Sequence, residues 1–576
     1  MQAQIKSSDV LDVIKNALFN LCKERTESES NKEKSLQKLE KDIEAGFVDE
    51  LYESLRLWDG FSKKYKTQHG FVGTTCEGLE CFFIPCLDVA ELDIDDFLID
   101  IYGLADCLLY DISFLIDKCL TRNGNLILSL RGDPYALHEV KLRKRKQTVY
   151  RQIPNIDAAS FILSSCLMAK HFLETLLNHS QKKDEYDLPR IKSNLNLILN
   201  KGIEALLENH RKCEGKGWAL DFACFSPSIL GTWATLEFIA DIDSYRDNEV
   251  MMEDLNQDLI QQLDSARDTS HDWLYNTNTD VIEKEFAISD IEKRQYRSVI
   301  DELQDKGLTG EEFASRMKKR ANRVLGANVR ERMEKEFLKI YDKTQLLFSL
   351  LLSGKRYTEF INKALVQVIE FYFDDDIWTS FIDREMPPEK EYVVYTQEEG
   401  GRKIHASWVD YGIVFEVFRM ILKYLESYSG TEIPKEIEKF DLNGKLASIY
   451  DRDIIKDRCK AKGVEYLWSK PHFELNYTEN AIEAITVYYN YLKKKEWEEE
   501  FIDLPTAVRI PIHKLIEMLS RYLPESKEIS DEKIAKAVER YLRSEKSQLR
   551  EIMEFWRINR DQLKEFVKHR KQSGGI

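Results

Sequence analysis

The chain has 576 residues, with 84 Lys+Arg against 101 Asp+Glu and a formal net charge of -17. An apolar share of 43% with 11% aromatics can build a sizeable core, which excludes general disorder. The acidic balance speaks against broad nucleic-acid binding by the whole surface, and 24 Gly with 12 Pro are too few for a many-turned sandwich, barrel or propeller.

Residues 1–130 read as an N-terminal helical region. Ser7-Ser8-Asp9 caps a helix carrying Val10, Ile14, Leu18 and Leu21 at helical spacing. Glu27 to Lys41 is almost wholly polar and reads as a solvated helix or hinge. From Phe71 to Ile84, Gly, Thr, Cys and Phe cluster, and a short strand or irregular turn is expected before helices return from Leu87 to Leu128.

Residues 131–249 read as the first part of an α-hairpin body, opening on the most basic stretch of the chain. Pro154-Asn155-Ile156-Asp157 starts a helix through Ala158, Phe161, Ile162, Ser165 and Ala169. Its antiparallel partner runs from Asp187 to Asn209, and Phe225-Ser226-Pro227-Ser228 opens the next helix, with Leu230, Trp233, Ala234 and Phe238. Residues 250–345 are charge-dense and read as a protruding helical insertion, with Thr309 as a cap before Glu311 and Glu312.

Residues 346–496 read as the second part of the body. Pro387-Pro388 and Gly400-Gly401 flank EYVVYTQ, the best strand candidate. Ala406-Ser407-Trp408-Val409-Asp410 and Asn476-Tyr477-Thr478-Glu479-Asn480 read as further helix openings. Residues 497–576 complete the chain as a C-terminal helical module. The openings recur about 72 and about 69 residues apart, the regularity an array of stacked α-hairpins leaves. The expected fold class is all-α: an α-hairpin array or α/α-toroid-like body with a charged insertion and a C-terminal module.

Trp218 with Asp221, followed by Ser226-Pro227-Ser228-Ile229 and Thr232-Trp233-Ala234, resembles the inner-helix openings of the α/α-toroid family of terpenoid cyclases and prenyltransferase β subunits. The resemblance is one of shape and covers about residues 150–245 and 400–495. It implies a central cavity with Trp218, Trp233 or Trp408 facing inward. Asp93-Ile94-Asp95-Asp96 has the Asp-x-Asp-Asp spelling of class II cyclases, in which a carboxylic acid held protonated donates to an alkene. An enzyme acting on an isoprenoid-like substrate is therefore an alternative, with Asp93, Asp95 and Asp96 as catalytic candidates and Asp93 or Asp96 buried at the cavity mouth. With Asp88 and Asp100 nearby, the motif reads first as a solvated acidic helix start. Asp374, Asp375 and Asp376 are the candidates for magnesium and diphosphate, but the second metal set such enzymes need is missing; Asp247-Asn248-Glu249 does not fit. An acidic turn closing a helix is the expected role.

Other site vocabulary is sparse. Cys76, Cys81 and Cys86 are five apart, wrong for zinc knuckles, and His171 and His179 are eight apart. Neither a Gly-rich phosphate loop nor a Gly-x-Ser-x-Gly elbow occurs. No cofactor is expected. Lys141, Arg143, Lys144, Arg145, Lys146 and Arg151 form a basic patch beside Tyr135 and Tyr150; it suits a protein partner, a nucleic-acid backbone, or neutralisation of the chain's own acidic helices.

These features lead to the expectation of a non-catalytic helical scaffold or adaptor binding other proteins. A nucleic-acid-associated defence effector using the 141–151 patch is a further alternative. Ten Cys without disulfide-type spacing, no basic-then-apolar leader and no bilayer-length apolar run place the expectation in the cytoplasm, away from membranes. The Lys-, Glu-, Ile- and Tyr-rich style is that of prokaryotic proteins, and by analogy of style suggests an accessory part in antiviral defence, CRISPR-associated systems included. The turn-rich stretches 384–403 and 427–445 are expected as protease-accessible links through which cleavage would control the protein.

Overall fold

A computed structural model describes residues 5–44, 71–128, 138–141, 148–151, 156–277, 310–326, 343–352, 358–374, 392–399, 402–408, 413–428, 433–455, 458–459, 467–468 and 475–500, bar residues 122, 223 and 247, and a few positions between 291 and 306. Helices dominate. α1 (Ser7–Glu44), α2 (Phe71–Asp88), α3 (Ile94–Asp100) and α4 (Leu104–Cys119) precede the hairpin β1–β2 (His138–Lys141, Thr148–Arg151). Then follow α5 (Ile156–His179), α6 (Leu188–Lys212), α7 (Ile229–Ser244), α8 (Glu249–Met252), α9 (Gln257–Thr277) and α10 (Gly310–Leu325). α11 (Lys343–Leu352) and α12 (Thr358–Asp374) lead to the hairpin β3–β4 (Tyr392–Glu399, Arg402–Trp408). α13 (Ile413–Ser427), α14 (Lys435–Glu438), α15 (Leu442–Ile449), the small hairpin β5–β6 (Arg458–Cys459, Leu467–Trp468) and α16 (Leu475–Glu500) complete the set. The fold class is all-α, with antiparallel two-stranded hairpins as attachments.

Two kinds of helix alternate. α2, α5, α7, α11, α13 and α16 are buried on nearly every face, whereas α4, α6, α9, α12 and α15 each bury one stripe. A helix apolar all round belongs to an interior, and an amphipathic one covers it. α6 shows the second kind: Ile191, Leu195, Ile198, Leu199, Ile203 and Leu206 are buried along one side. Asp187 caps it by accepting from the Arg190 N–H at 3.2 Å, and His210, Arg211 and Lys212 suit the negative end of its dipole. Among the all-round buried helices, α2 packs on α5 and α16, α5 on α7, and α13 on α16. α16 also packs on α1, and Ser7 N donates to Glu496 Oε1 at 2.7 Å, so the last described helix lies beside the first two.

Several elements depart from the sequence reading. Phe71–Ile84 is helix rather than strand or turn: Val72, Cys76, Leu79 and Phe83 share one fully buried face, and the small residues there pack rather than break. Tyr392–Glu399 is the strand expected, but its partner β4 absorbs Ala406-Ser407-Trp408, with Trp408 opposite Tyr392, and the helix starts only at Ile413. α9, read as part of a protruding insertion, packs on α6 and α7 and buries Leu259, Ile260, Leu263, Ala266 and Leu274. α5 is long and apolar enough to cross a membrane, a run its scattered polar residues concealed; 78% of that window is buried inside the body. In the 427–445 link, α14 and α15 bury Ile437 and Leu442.

Candidate functional site

The all-round buried helices each carry polar side chains in otherwise apolar text, and these converge. α2 supplies Glu77 and Glu80, α7 Glu237 and Asp241, α13 Glu416 and Arg419, and α16 Glu479 and Glu483. Each pair is three or four residues apart, which puts its members on one helix face. α5 supplies two hydroxyls: Ser165 Oγ donates to Glu80 Oε1 at 2.6 Å, and Ser164 Oγ donates to Asp241.

Arg419 is the cationic centre. It pairs with Glu237 Oε1 at 2.8 Å and Glu483 Oε1 at 2.5 Å, lies 3.9 Å from Glu416, and stacks its guanidinium 5.1 Å from the Phe348 ring centre. Its side chain is 11% exposed, while Glu237 and Glu483 retain 25% and 21%. Both carboxyls thus stay partly accessible among packed helices, in what amounts to an acidic recess, and burial raises the pKa of each.

The other acids shift the same way. Burial pushes Glu80 and Glu479 well above the ordinary carboxylate range, and neighbouring carboxylates push further. Asp241 is raised to about 7 by burial, aided by Glu483 and Asp88 and opposed by Ser164 and Arg419. Asp88, at the end of α2, is exposed to solvent, which screens the upward pull of the surrounding protein and of Glu483 on its pKa. Burial thus raises Glu80, Glu237, Asp241, Glu479 and Glu483, and Arg419 offsets four of them but not Glu80. For Glu80 and Asp88 the neighbouring charges that act most strongly are negative.

Tyr245 borders this cluster as the C-cap of α7. Its hydroxyl is buried without a hydrogen-bond partner among the described residues, and Asp241 and Asp88 both act on it. The His171 ring lies 5.3 Å from the Tyr245 ring, and burial lowers its pKa. Among the described residues, no three His, Cys, Asp or Glu side chains are grouped to hold a metal ion.

The residues singled out by motif lie elsewhere. Asp93 is the exposed N-cap of α3, accepting from the Asp95 N–H at 2.9 Å; Asp95 and Asp96 are exposed, and Asp95 meets His179 at 3.1 Å. The buried mouth expected for Asp93 or Asp96 is thereby corrected: on a one-sided surface helix the carboxylates face water. Asp374 closes α12, and Asp375 and Asp376 lie outside the described residues. Lys141 and Arg151 end the strands of β1–β2; Arg143, Lys144, Arg145 and Lys146 lie outside the described residues. Trp218 is buried but spends its indole N–H on Leu206 O at 2.9 Å, and Trp408 lies in β4. The signal that marks the recess is an acid embedded in apolar helical text, as in Leu79-Glu80-Cys81 and Leu236-Glu237-Phe238.

No family model, curated protein or solved structure matches the chain.

Proposed function

We propose that the chain is a helical binding protein whose recognition element is the acidic recess, and that the recess receives an organic cation. One observation carries this reading: carboxyls of α2, α7 and α16 converge around a single guanidinium, Arg419, which pairs directly with only Glu237 and Glu483. Burying acids without matching positive charge is costly, so a set carried on three helices points to a ligand that supplies the charge.

In this reading the all-round buried helices are the inner members of an α/α-toroid-like body and the amphipathic ones its outer layer. The alternation of the two kinds, and the packing of α16 on α1 and α2, support it. A recess lined by carboxyls suits a polar cation better than an isoprenoid chain. The non-catalytic adaptor role and cytoplasmic setting carry over, with the recess as the place where a partner molecule's positive group docks.

The test is a thermal-shift panel of alkylammonium and guanidinium compounds against anionic and neutral controls. Cations should raise the melting temperature selectively, and the E237Q/E483Q double variant should lose the response. A panel without cation selectivity overturns the proposal.

A further inference from the structure

Resting on that reading, we infer that the recess is the axis of a circle of helices and takes a linear aliphatic polyamine lengthwise. One ammonium meets Glu237, Asp241 and Glu483 at the mouth, and the next meets Glu80 and Glu479 at the floor.

Side chains link the helices in sequence around the circle. Ser165 Oγ of α5 donates to Glu80 of α2 at 2.6 Å, and the adjacent Ser164 Oγ donates to Asp241 of α7. Arg419 of α13 reaches Glu237 of α7 at 2.8 Å and Glu483 of α16 at 2.5 Å. α16 packs on α2, where Asn490 Nδ2 donates to Asp88 O at 3.0 Å, and this closes the circle. Among the described residues, helices facing one another across it, α2 and α7 or α5 and α16, do not pack closely. The linked acids therefore stand around one axis. Glu237 and Glu483 both bond Nη2 of Arg419, so one nitrogen can bridge them. Each uses Oε1 for that bond, which leaves Oε2 to an incoming donor.

Burial along the helices gives the axis a floor and a mouth. α5 runs parallel to α2 and α7: Phe172 stacks on Phe83 at 4.7 Å beyond the Ser165–Glu80 bond, and the Ser160 and Thr235 hydroxyls lie 3.5 Å apart before the Ser164–Asp241 bond. Glu80 and Glu479 are 5% and 6% exposed and form the floor. Towards the helix C-termini, solvent reaches the same faces. Glu237, Ala240 and Asp241 are half-buried and Ser244 exposed, at the spacing of one face of α7. Glu483 and Val487 of α16 are half-buried too, as are Arg419 and Lys423 of α13, and Asp88 ends α2 exposed. The way in thus lies where α2, α7 and α13 end, and the negative ends of their dipoles favour a cation there.

The ligand class follows from the spacing of the acids. Glu479 and Glu483 are four residues apart on α16, about 6 Å of rise, so floor and mouth call for two cations that far apart. A three- or four-carbon spacer between ammonium groups covers that rise, whereas a monoamine serves one level alone. The chain's own cations are already engaged: Arg419 with Glu237 and Glu483, and Lys423 with Glu426 at 3.5 Å. Glu80 and Glu479 accept from the neutral Ser165 Oγ and Asn480 Nδ2, so a second ammonium brings to the floor the charge it lacks. Ala240 and Val487 at the mouth suit the methylenes of a further spacer.

Calorimetric titration of the full chain tests this with n-butylamine, diamines of two, four and eight methylenes, the triamine N-(3-aminopropyl)-1,4-diaminobutane, a pentalysine peptide and magnesium chloride. Affinity should rise about tenfold or more with each added ammonium, from butylamine through the four-carbon diamine to the triamine. The four-carbon diamine should also bind more tightly than the two- and eight-carbon ones. E479Q keeps the acceptor for Asn480 and should weaken the triamine about tenfold while leaving butylamine unchanged, whereas D241N should weaken both. The spacer series needs no variant, so it decides the matter even where a substitution disturbs folding. Butylamine binding as tightly as the triamine, affinity indifferent to spacer length, or a folded E479Q that binds the triamine like the parent overturns lengthwise binding. Tighter binding of pentalysine overturns the polyamine in favour of a partner's basic segment. If monoamines then still bind and fail in E237Q/E483Q, the recess stands without this inference. Absence of cation binding, or a response to magnesium alone, removes both.

Discussion

Arg419 Nη2 donates to Glu237 Oε1 at 2.8 Å, joining α13 to α7 across 182 residues of sequence. The same guanidinium holds Glu483 of α16, so one side chain ties three helices and offsets part of the acidity between them. Arg419→Gln should destabilise the protein by about 3–5 kcal/mol at pH 8, the usual result of removing one partner from a buried charge set. The loss should shrink at pH 5.5, because burial raises the pKa of Glu237 and Glu483 and a lower pH favours their neutral form. Urea unfolding at the two pH values checks this; an equal loss at both would show that the carboxylates do not depend on Arg419.

A second buried pair fixes α1 to α4. Arg25 donates to both oxygens of Asp111, from Nε at 3.0 Å and Nη2 at 2.7 Å, and neither side chain is more than 1% exposed. Asp111→Asn leaves a buried guanidinium without its carboxylate and should cost about 3–5 kcal/mol. The double variant Arg25→Met with Asp111→Leu should regain most of that, because an apolar pair removes both desolvation costs. Chemical denaturation of the three proteins measures the difference.

Stability should rise as pH falls from 8 towards 6.5. In the folded chain Asp241 binds its proton with a pKa of about 7, against an ordinary value of 3.8, so between those values the folded state holds a proton the unfolded state lacks. That contribution is fully present near pH 4 and fades as pH climbs through 7, at a slope of at most about 1.4 kcal/mol per pH unit for one group. His171 and His210, whose pKa values burial lowers, act in the opposite sense below about pH 6.5. Asp241→Asn should flatten the rise between pH 8 and 6.5 while leaving the acid limb in place, as followed by melting temperature against pH.

Much of the architecture is legible in local text. Val10, Ile14, Leu18 and Leu21 are all fully buried in α1, because a 3.6-residue apolar period has few other ways to be satisfied. Ser228 caps α7 by accepting from the Gly231 N–H at 3.0 Å, where Ser-Pro-Ser announced an opening. The recess was harder to read. Glu80, Asp241 and Glu483 are brought together by helix order, and no spacing within one segment encodes that. The Asp-x-Asp-Asp spelling marks Asp93 instead, and that residue is a helix cap. Phe71–Ile84 misled for a related reason: Gly and Thr lower helix propensity locally, but tertiary burial of Val72, Cys76, Leu79 and Phe83 overrides it.

The start of α7 depends on a glycine for space rather than for backbone freedom. The segment from Trp218 to Leu220 crosses the first turn of the helix, with Ser228 N donating to Trp218 O at 2.7 Å. A Cβ at Gly231 would sit 1.9 Å from Ala219 O, a backbone atom that no rotamer change can move aside. Gly231→Ala should therefore cost about 3 kcal/mol, the upper end for overpacking, and displace the turn that orients Glu237 and Asp241 about two and three turns later. Gly103→Ala is the matched comparison: φ there is +81° with nothing within 4 Å of the added carbon, so only the left-handed strain of about 1–2 kcal/mol applies. Melting of both variants, with the cation-induced shift measured on each, separates the effects. Gly231→Ala should lose stability and response together, and Gly103→Ala should keep the response.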